Sequence, residues 1–285
     1  MSAGPEPSPP KPATRRSWAD LGPRLASALV LIFITAVALY FGGFAFAAAV
    51  GAVFAGAYRE WETMVTLKPL TPIGMVLIGL AVLCALSFPL LGLYGSMGFA
   101  VAGALVAVAV GGEGAVWRAV GQLYFGAVIV SVLSIRGTLP IGIVAGVYLG
   151  TVIWLTDTGA FFAGRQLGGE KLAPEISPAK TWSGAFGGLL LGTAGGLAVW
   201  MYATSSPWWI GLCLSAVMSI LGQSGDLSES ALKRRFRVKD SGDIIPGHGG
   251  LMDRLDSVTF GALFMFAVGA LHQGIGSVAA GFLNW

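Results

Sequence analysis

Of the chain's 285 residues, 55% are hydrophobic and only 11% are charged, whereas a soluble globular domain carries about 25% charged residues. That balance excludes an ordinary soluble domain and marks a membrane protein. Its 17 basic and 14 acidic side chains are unevenly spread: twelve lie between residues 223 and 256, and six more between 157 and 180.

Residues 1–24 hold five prolines before Ala13 and no apolar run, which predicts a disordered cytoplasmic tail. The apolar stretch that follows is too long for a cleavable signal. A span needs about 20 mostly apolar residues. Runs bounded by Gly42-Gly43, Pro69, Gly95, Gly111-Gly112, Pro140 and Pro207 predict spans near 25 to 41, 43 to 58, 71 to 92, 95 to 111, 122 to 135, 140 to 160, 182 to 203, 207 to 226 and 257 to 281. The runs are continuously apolar, not alternating, so a β-barrel is excluded and the fold class is all-α, with about nine transmembrane helices. Residues 25–135 form N-terminal membrane helices, and 136–285 a catalytic membrane region with motif loops at 157–184 and 223–256. Glycines inside spans, as in "GGLLLGTAGG", predict close helix packing. Cys84 and Cys213 lie in apolar runs without partner spacing and read as small buried hydrophobes.

Basic residues favour the cytoplasmic side of short loops. Nine spans with the N-terminus inside put 16 of the 17 Lys and Arg residues on that side and leave only Arg136 outside. Both charged stretches then face the cytoplasm.

In "QSGDLSESALKRRFRVKDSGDIIPGHGGLMDRLD" the run from Gln223 to Arg237 continues a helix past the eighth span. Asp226, Glu229, Ser230, Lys233, Arg234 and Arg237 fall on one stripe, because positions three, four and seven apart share a face. A solvated helix whose bases meet lipid headgroups is the plain reading. The "IIPGHGG" that follows is non-helical and rich in exposed N–H groups, properties used to cradle phosphates. Asp253 and Asp256 then stand three apart at the start of the last span. Carboxylates at such depth are costly and usually functional, and an oxygen set from Asp226, Asp253 and Asp256 suits one or two Mg²⁺ ions. Asp157, at the end of the sixth span, is either a helix-capping or ion-pairing residue or a further ligand or nucleotide contact. Lys180, after Pro178 at a helix start, favours a phosphate.

The run from Ser230 to Asp256, S-x-L-K-R-x4-K-D-x-G-x2-I-P-x-H-G-G-L-x-D-R-L-D, resembles the signature of the phosphatidate cytidylyltransferases, and "DTGAFFAGRQLGGEKLAPEISPAKTWSG" resembles that family's other cytoplasmic block. Two positions depart from the pattern: Ala179 stands where Lys is expected and Ser183 where Glu is expected. The resemblance implies transfer of CMP from CTP to phosphatidic acid, giving CDP-diacylglycerol and pyrophosphate. It implies that Asp226, Lys233, Asp253 and Asp256 are catalytic, with Asp226, Asp253 and Asp256 holding metal. Ser177, Lys180, Thr181, Ser230, Arg234, Lys239, His248, Arg254 and Asp157 would bind nucleotide, although for His248 a simple loop hydrogen bond fits equally. The partners implied are CTP, phosphatidic acid and membrane lipids, without nucleic acid and with a homodimer open; the place is a bacterial inner membrane. A secondary transporter would put its acids at mid-span and show repeated halves. No repeat is visible, and these acids lie at span ends. A CTP-dependent enzyme of another lipid shares the same physics and stays open.

Overall fold

The computed structural model describes residues 33–242 and 250–285. The Pro-rich stretch, residues 25–32 of the first expected span, and His248 lie outside the described residues. Helix α1 covers 33–41. It is followed by α2 (Gly43–Thr66), α3 (Pro72–Val110), α4 (Ala115–Arg136) and α5 (Ile141–Leu167). A hairpin of β1 (Lys171–Ala173) and β2 (Ser177–Thr181) leads to α6 (Trp182–Ala203) and α7 (Trp208–Arg235). A 3-10 turn, Met252–Arg254, precedes α8 (Asp256–Gln273) and α9 (Val278–Leu283). The protein is thus mostly helical, and the antiparallel hairpin, with Lys171 opposite Thr181 and Ala173 opposite Ser177, is an element the all-α expectation lacked.

Helix ends follow the local chemistry. Thr71 caps α3 by accepting the Gly74 N–H at 3.0 Å, with Pro72 in the first turn. Inside α3, Gly92 takes φ 64 and breaks the run, close to the expected division between spans at 92 and 95. Five helices, α3 to α7, are long and apolar enough to cross a membrane. Their outward side chains agree: Leu90 is 75% exposed, Leu190 72% and Tyr202 95%. Lipid tails solvate such groups as well as a protein core does.

Three expectations need correction, and Arg136 gains a structural role. α4 begins at Ala115, seven residues before the span expected at 122, because Arg118 is no loop charge: its guanidinium donates to both Glu62 carboxylate oxygens at 2.7–3.1 Å in a buried pair. The last expected span, 257 to 281, is broken at Gly274 (φ 85) into α8 and α9, since the Gly-Ile-Gly sequence there cannot hold a helix cheaply. Arg136, the one base left outside, is buried and caps α1, donating to the carbonyls of Leu39 and of Tyr40, the latter at 3.0 Å. Cys84 is buried as expected, but Cys213 is exposed on α7.

The glycine reading holds where α5 meets α6. A Cβ on Gly159 would sit 2.5 Å from the Gly187 carbonyl oxygen, and one on Gly188 2.7 Å from that of Thr156. Backbones this close leave no room for side chains, which fixes α5 against α6 and the hairpin between them. Two apolar cores result. One gathers α2, α3 and α4 around Tyr58, Trp61 and Phe125; the other gathers α5 to α9 around Tyr148, Trp200 and Phe282. Met252 is buried in the first core, and Leu232, Phe236 and Leu255 pack against it. The second motif is therefore seated on the N-terminal helices.

Candidate active site

Asp157, Asp226, Lys233, Asp253, Arg254 and Asp256 line one cavity of about 480 Å³, together with Asp240. Four elements supply them: α5, α7, the 3-10 turn and the first residue of α8. The sequence separates these residues by nearly a hundred positions. Convergence comes from the glycine-mediated contacts: Gly222 and Gly225 of α7 lie against Ile153 of α5 and against the Asp256 carbonyl and Phe260 of α8, where any side chain would collide.

Within the cavity every acid that meets a lysine is paired. Lys180 of β2 forms an ion pair with Asp226. Lys233 bridges Glu229, at 3.1 Å, and Asp253. Asp253 also accepts the Gly250 N–H at 3.2 Å and the Ser241 N–H at 3.4 Å. Burial pushes the Asp253 carboxyl up, but hydrogen bonding with Glu229, Lys233 and Ser241 and the Lys233 charge outweigh it and hold Asp253 below the usual carboxylate range. Asp157, Asp226 and Asp256 are near enough to act on one another electrostatically.

Two further chambers adjoin. The first, about 390 Å³, shares Asp157 and Asp226 with the central cavity and is lined by Phe161, Arg165, Lys180 and Thr181. The second, about 250 Å³, shares Asp256 and is lined by Trp61, Val120, Phe125, Leu232, Met252 and Phe260, an almost wholly apolar wall. The carboxylates thus stand between a chamber that carries Arg165 and Lys180 and an oily one.

Of the site residues expected from sequence, Ser177, Ser230, Arg234 and Lys239 do not line the cavity. Arg234 is exposed and reaches the Ile176 carbonyl at 3.3 Å, tying α7 to the hairpin. Helix α7 stops at Arg235, and Arg237 takes φ 57, so Arg237 leaves the predicted stripe. Asp157 is no helix-end charge, since α5 runs on to Leu167. Lys180 sits on β2, and the helix start is capped by Thr181, which accepts the Gly184 N–H at 3.1 Å. At the two departing positions, Ala179 lines the basic chamber and Ser183 donates to the Gly168 carbonyl.

Sequence reasoning missed Arg165, Asp240 and Glu60. Arg165 and Asp240 lay inside the charged stretches and were visible as such. Glu60 gave no signal: it lies in "YREWETM", far from either motif, yet its buried carboxylate accepts the backbone N–H groups of Leu251 and Met252.

Among the described residues no three His, Cys, Asp or Glu side chains converge closely enough to form a metal cluster as they stand. The donor set nevertheless fits a hard divalent cation in kind: five carboxylates face two cationic side chains around the central cavity, and all the candidate ligands are oxygens.

The helices thus bring an acid-lined cavity and a lysine-bearing hairpin together at one end of a set of long apolar helices. The sequence profile of the cytidylyltransferase family matches residues 23–272, and the chain belongs to that family. It is 38% identical over 256 residues to the phosphatidate cytidylyltransferase of Brucella suis biovar 1 (strain 1330), covering 88% of this chain and 94% of the relative. Similarity to the enzyme of the same name from Bacillus subtilis (strain 168) is 41% over 152 residues, 53% of this chain and 56% of the relative. That from Staphylococcus epidermidis (strain ATCC 12228) is 50% identical over 110 residues, 38% of this chain and 42% of the relative.

Proposed function

We propose that the protein transfers CMP from CTP to phosphatidic acid, releasing pyrophosphate and forming CDP-diacylglycerol. The observation that carries this reading is the arrangement of the three chambers. A triphosphate nucleotide is polar throughout, and phosphatidic acid is polar at one end only. Carboxylates flanked on one side by a chamber carrying Arg165 and Lys180 and on the other by an apolar pocket suit a meeting of those two molecules.

An oxygen of the lipid phosphate attacks the α-phosphorus of CTP in line, the new P–O bond forms, and the bond to the β-phosphate bridging oxygen breaks. A phosphate monoester is ionised near neutral pH, so the site's first task is to offset charge between two anions. Lys180, Lys233 and Arg254 contribute ammonium and guanidinium donors for the triphosphate and the departing pyrophosphate. Mg²⁺, held by Asp226, Asp253 and Asp256, would supply charge neutralisation at the reacting oxygens. Asp157 supports the acidic wall, and Phe161 with Arg165, stacked 5.8 Å from its ring centroid, offers a flat cationic face to the nucleotide.

The purified protein in detergent, given CTP, Mg²⁺ and phosphatidic acid, is expected to yield pyrophosphate and CDP-lipid in equal amounts. Turnover of a polyprenyl phosphate with none of phosphatidic acid would reassign the lipid.

The full topology belongs to the same proposal. Nine spans, counting the two arms of α3 and the α8–α9 pair, place the cavity at the cytoplasmic face of a bacterial inner membrane, as the distribution of basic residues favours. A reporter fused after Lys239 is expected inside and one at Trp285 outside; both on one side would remove the nine-span arrangement.

A further inference from the structure

We propose that Glu60 is a positioning residue, a staple from the N-terminal helices that sets the place of Asp253 and Lys233; this rests on the cytidylyltransferase reading only for the meaning of the catalytic outcome. Its carboxylate is 2% exposed. One oxygen accepts the Leu251 N–H at 2.9 Å, and the other accepts the Met252 N–H at 2.8 Å and the Ser241 hydroxyl at 3.0 Å. The staple therefore joins positions on either side of residues 243–249, and it crosses about 180 positions of sequence to do so.

The neighbouring residue makes the consequence specific. Asp253 follows Met252 directly, and its own carboxylate accepts the N–H groups of Ser241 and Gly250. Glu60 and Asp253 thus hold the same two stretches of chain, Asp253 from the cavity and Glu60 from α2 outside it. Packing leaves little slack: a Cβ on Gly242 would lie 2.8 Å from the Glu60 side chain, and one on Gly250 would lie 2.9 Å from both carboxylates and collide with the Ser241 hydroxyl. A carboxylate with no water around it and three donors aimed at it has one stable arrangement, because charged hydrogen bonds are short and directional, while an unsatisfied buried charge is costly. Any shift of Glu60 passes to Met252, then to Asp253, then to the Lys233 ammonium that Asp253 holds.

Glu60 does not face the cavity, so its effect on the reaction must run through those residues. Glu60→Gln keeps the shape and one acceptor oxygen, but it turns the other oxygen into an NH₂ that confronts either one backbone N–H or a backbone N–H and a hydroxyl. Misplacement of a reacting group by about 1 Å can cost 10²-fold in rate. The expected result is a fall in kcat of about 100-fold with the KM for CTP changed by less than about threefold, at a temperature where the variant remains folded.

A second measurement does not depend on activity. In hydrogen exchange followed by mass spectrometry on the full-length protein, the peptide covering 250–256 is expected to exchange about tenfold faster or more in Glu60→Gln, with α4 and α6 unchanged. Ser241→Ala, which removes only the hydroxyl contact, is expected to show the same two effects more weakly and covers the case in which Glu60→Gln fails to fold. Unchanged exchange at 250–256, a uniform acceleration over the whole chain, or an unaltered kcat would each overturn the staple. A wild-type protein inert toward CTP and phosphatidic acid would instead sink the functional reading, and the exchange experiment would still decide Glu60.

Discussion

Asp253→Asn is expected to lower turnover by about 100-fold or more, because the stabilisation of developing charge at such a site is worth several kcal/mol and each 1.36 kcal/mol is a factor of ten. The substitution leaves the shape of the side chain and one acceptor oxygen for the Gly250 and Ser241 N–H groups. What it removes is the charge that pairs with Lys233 and faces the cavity. Since the Asp253 carboxyl is held below the usual carboxylate range by its hydrogen bonds and by Lys233, it is ionised near neutral pH, and the loss in the Asn variant is expected to be the same from pH 6 to pH 8. Pyrophosphate release measured in detergent at saturating CTP and Mg²⁺ checks it. Activity near that of the unaltered protein would make Asp253 a structural anchor for the turn at Met252–Arg254.

The charged block announced the site, and the reason is physical. In a chain so apolar, a carboxylate retained near a span must have a use, and Asp157, Asp226, Asp253 and Asp256 do share one cavity. Several helix limits were legible because Pro and Gly stand at them, as at Thr71-Pro72 and Gly111. Misreadings arose where a side chain's partner lay far away in sequence. Arg118 looked like a loop base because Glu62, which lets it stay buried inside α4, is 56 positions distant. The capping role of Arg136 gave no sign because the carbonyls it meets belong to α1, nearly a hundred positions away. Glu60 was invisible for the same reason: its donors, two backbone N–H groups and the Ser241 hydroxyl, lie about 180 positions or more away. The stripe on α7 was correct as a helical face up to Arg235, yet adjacent residues on a helix point about 100° apart, and only tertiary contacts decide which of Lys233 and Arg234 meets the cavity.

That division yields the second large effect. Lys233→Gln is expected to reduce kcat by two orders of magnitude or more, whereas Arg234→Gln leaves kcat within about fivefold. Lys233 is largely buried and serves two carboxylates, those of Glu229 and Asp253, whose side chains are 7% and 19% exposed. Removing one partner of a buried charge set leaves the rest uncompensated, at a cost of about 3–5 kcal/mol, and the Gln amide brings no charge to a triphosphate. Arg234 is exposed and makes carbonyl contacts at 3.3 and 3.4 Å to Ile176 and Val238. Hydrogen bonds of that length in water contribute little, so its loss loosens the hairpin against α7 without altering the cavity's charge. If the two bases merely drew the protein to anionic headgroups, each would instead weaken surface association by about 1 kcal/mol, and the two variants would behave alike. Kinetics at several CTP concentrations in mixed micelles of fixed phosphatidic acid fraction separate the cases. Equal effects of the two substitutions, confined to the dependence on lipid concentration, would leave the basic end of α7 as a membrane anchor and remove Lys233 from the reaction.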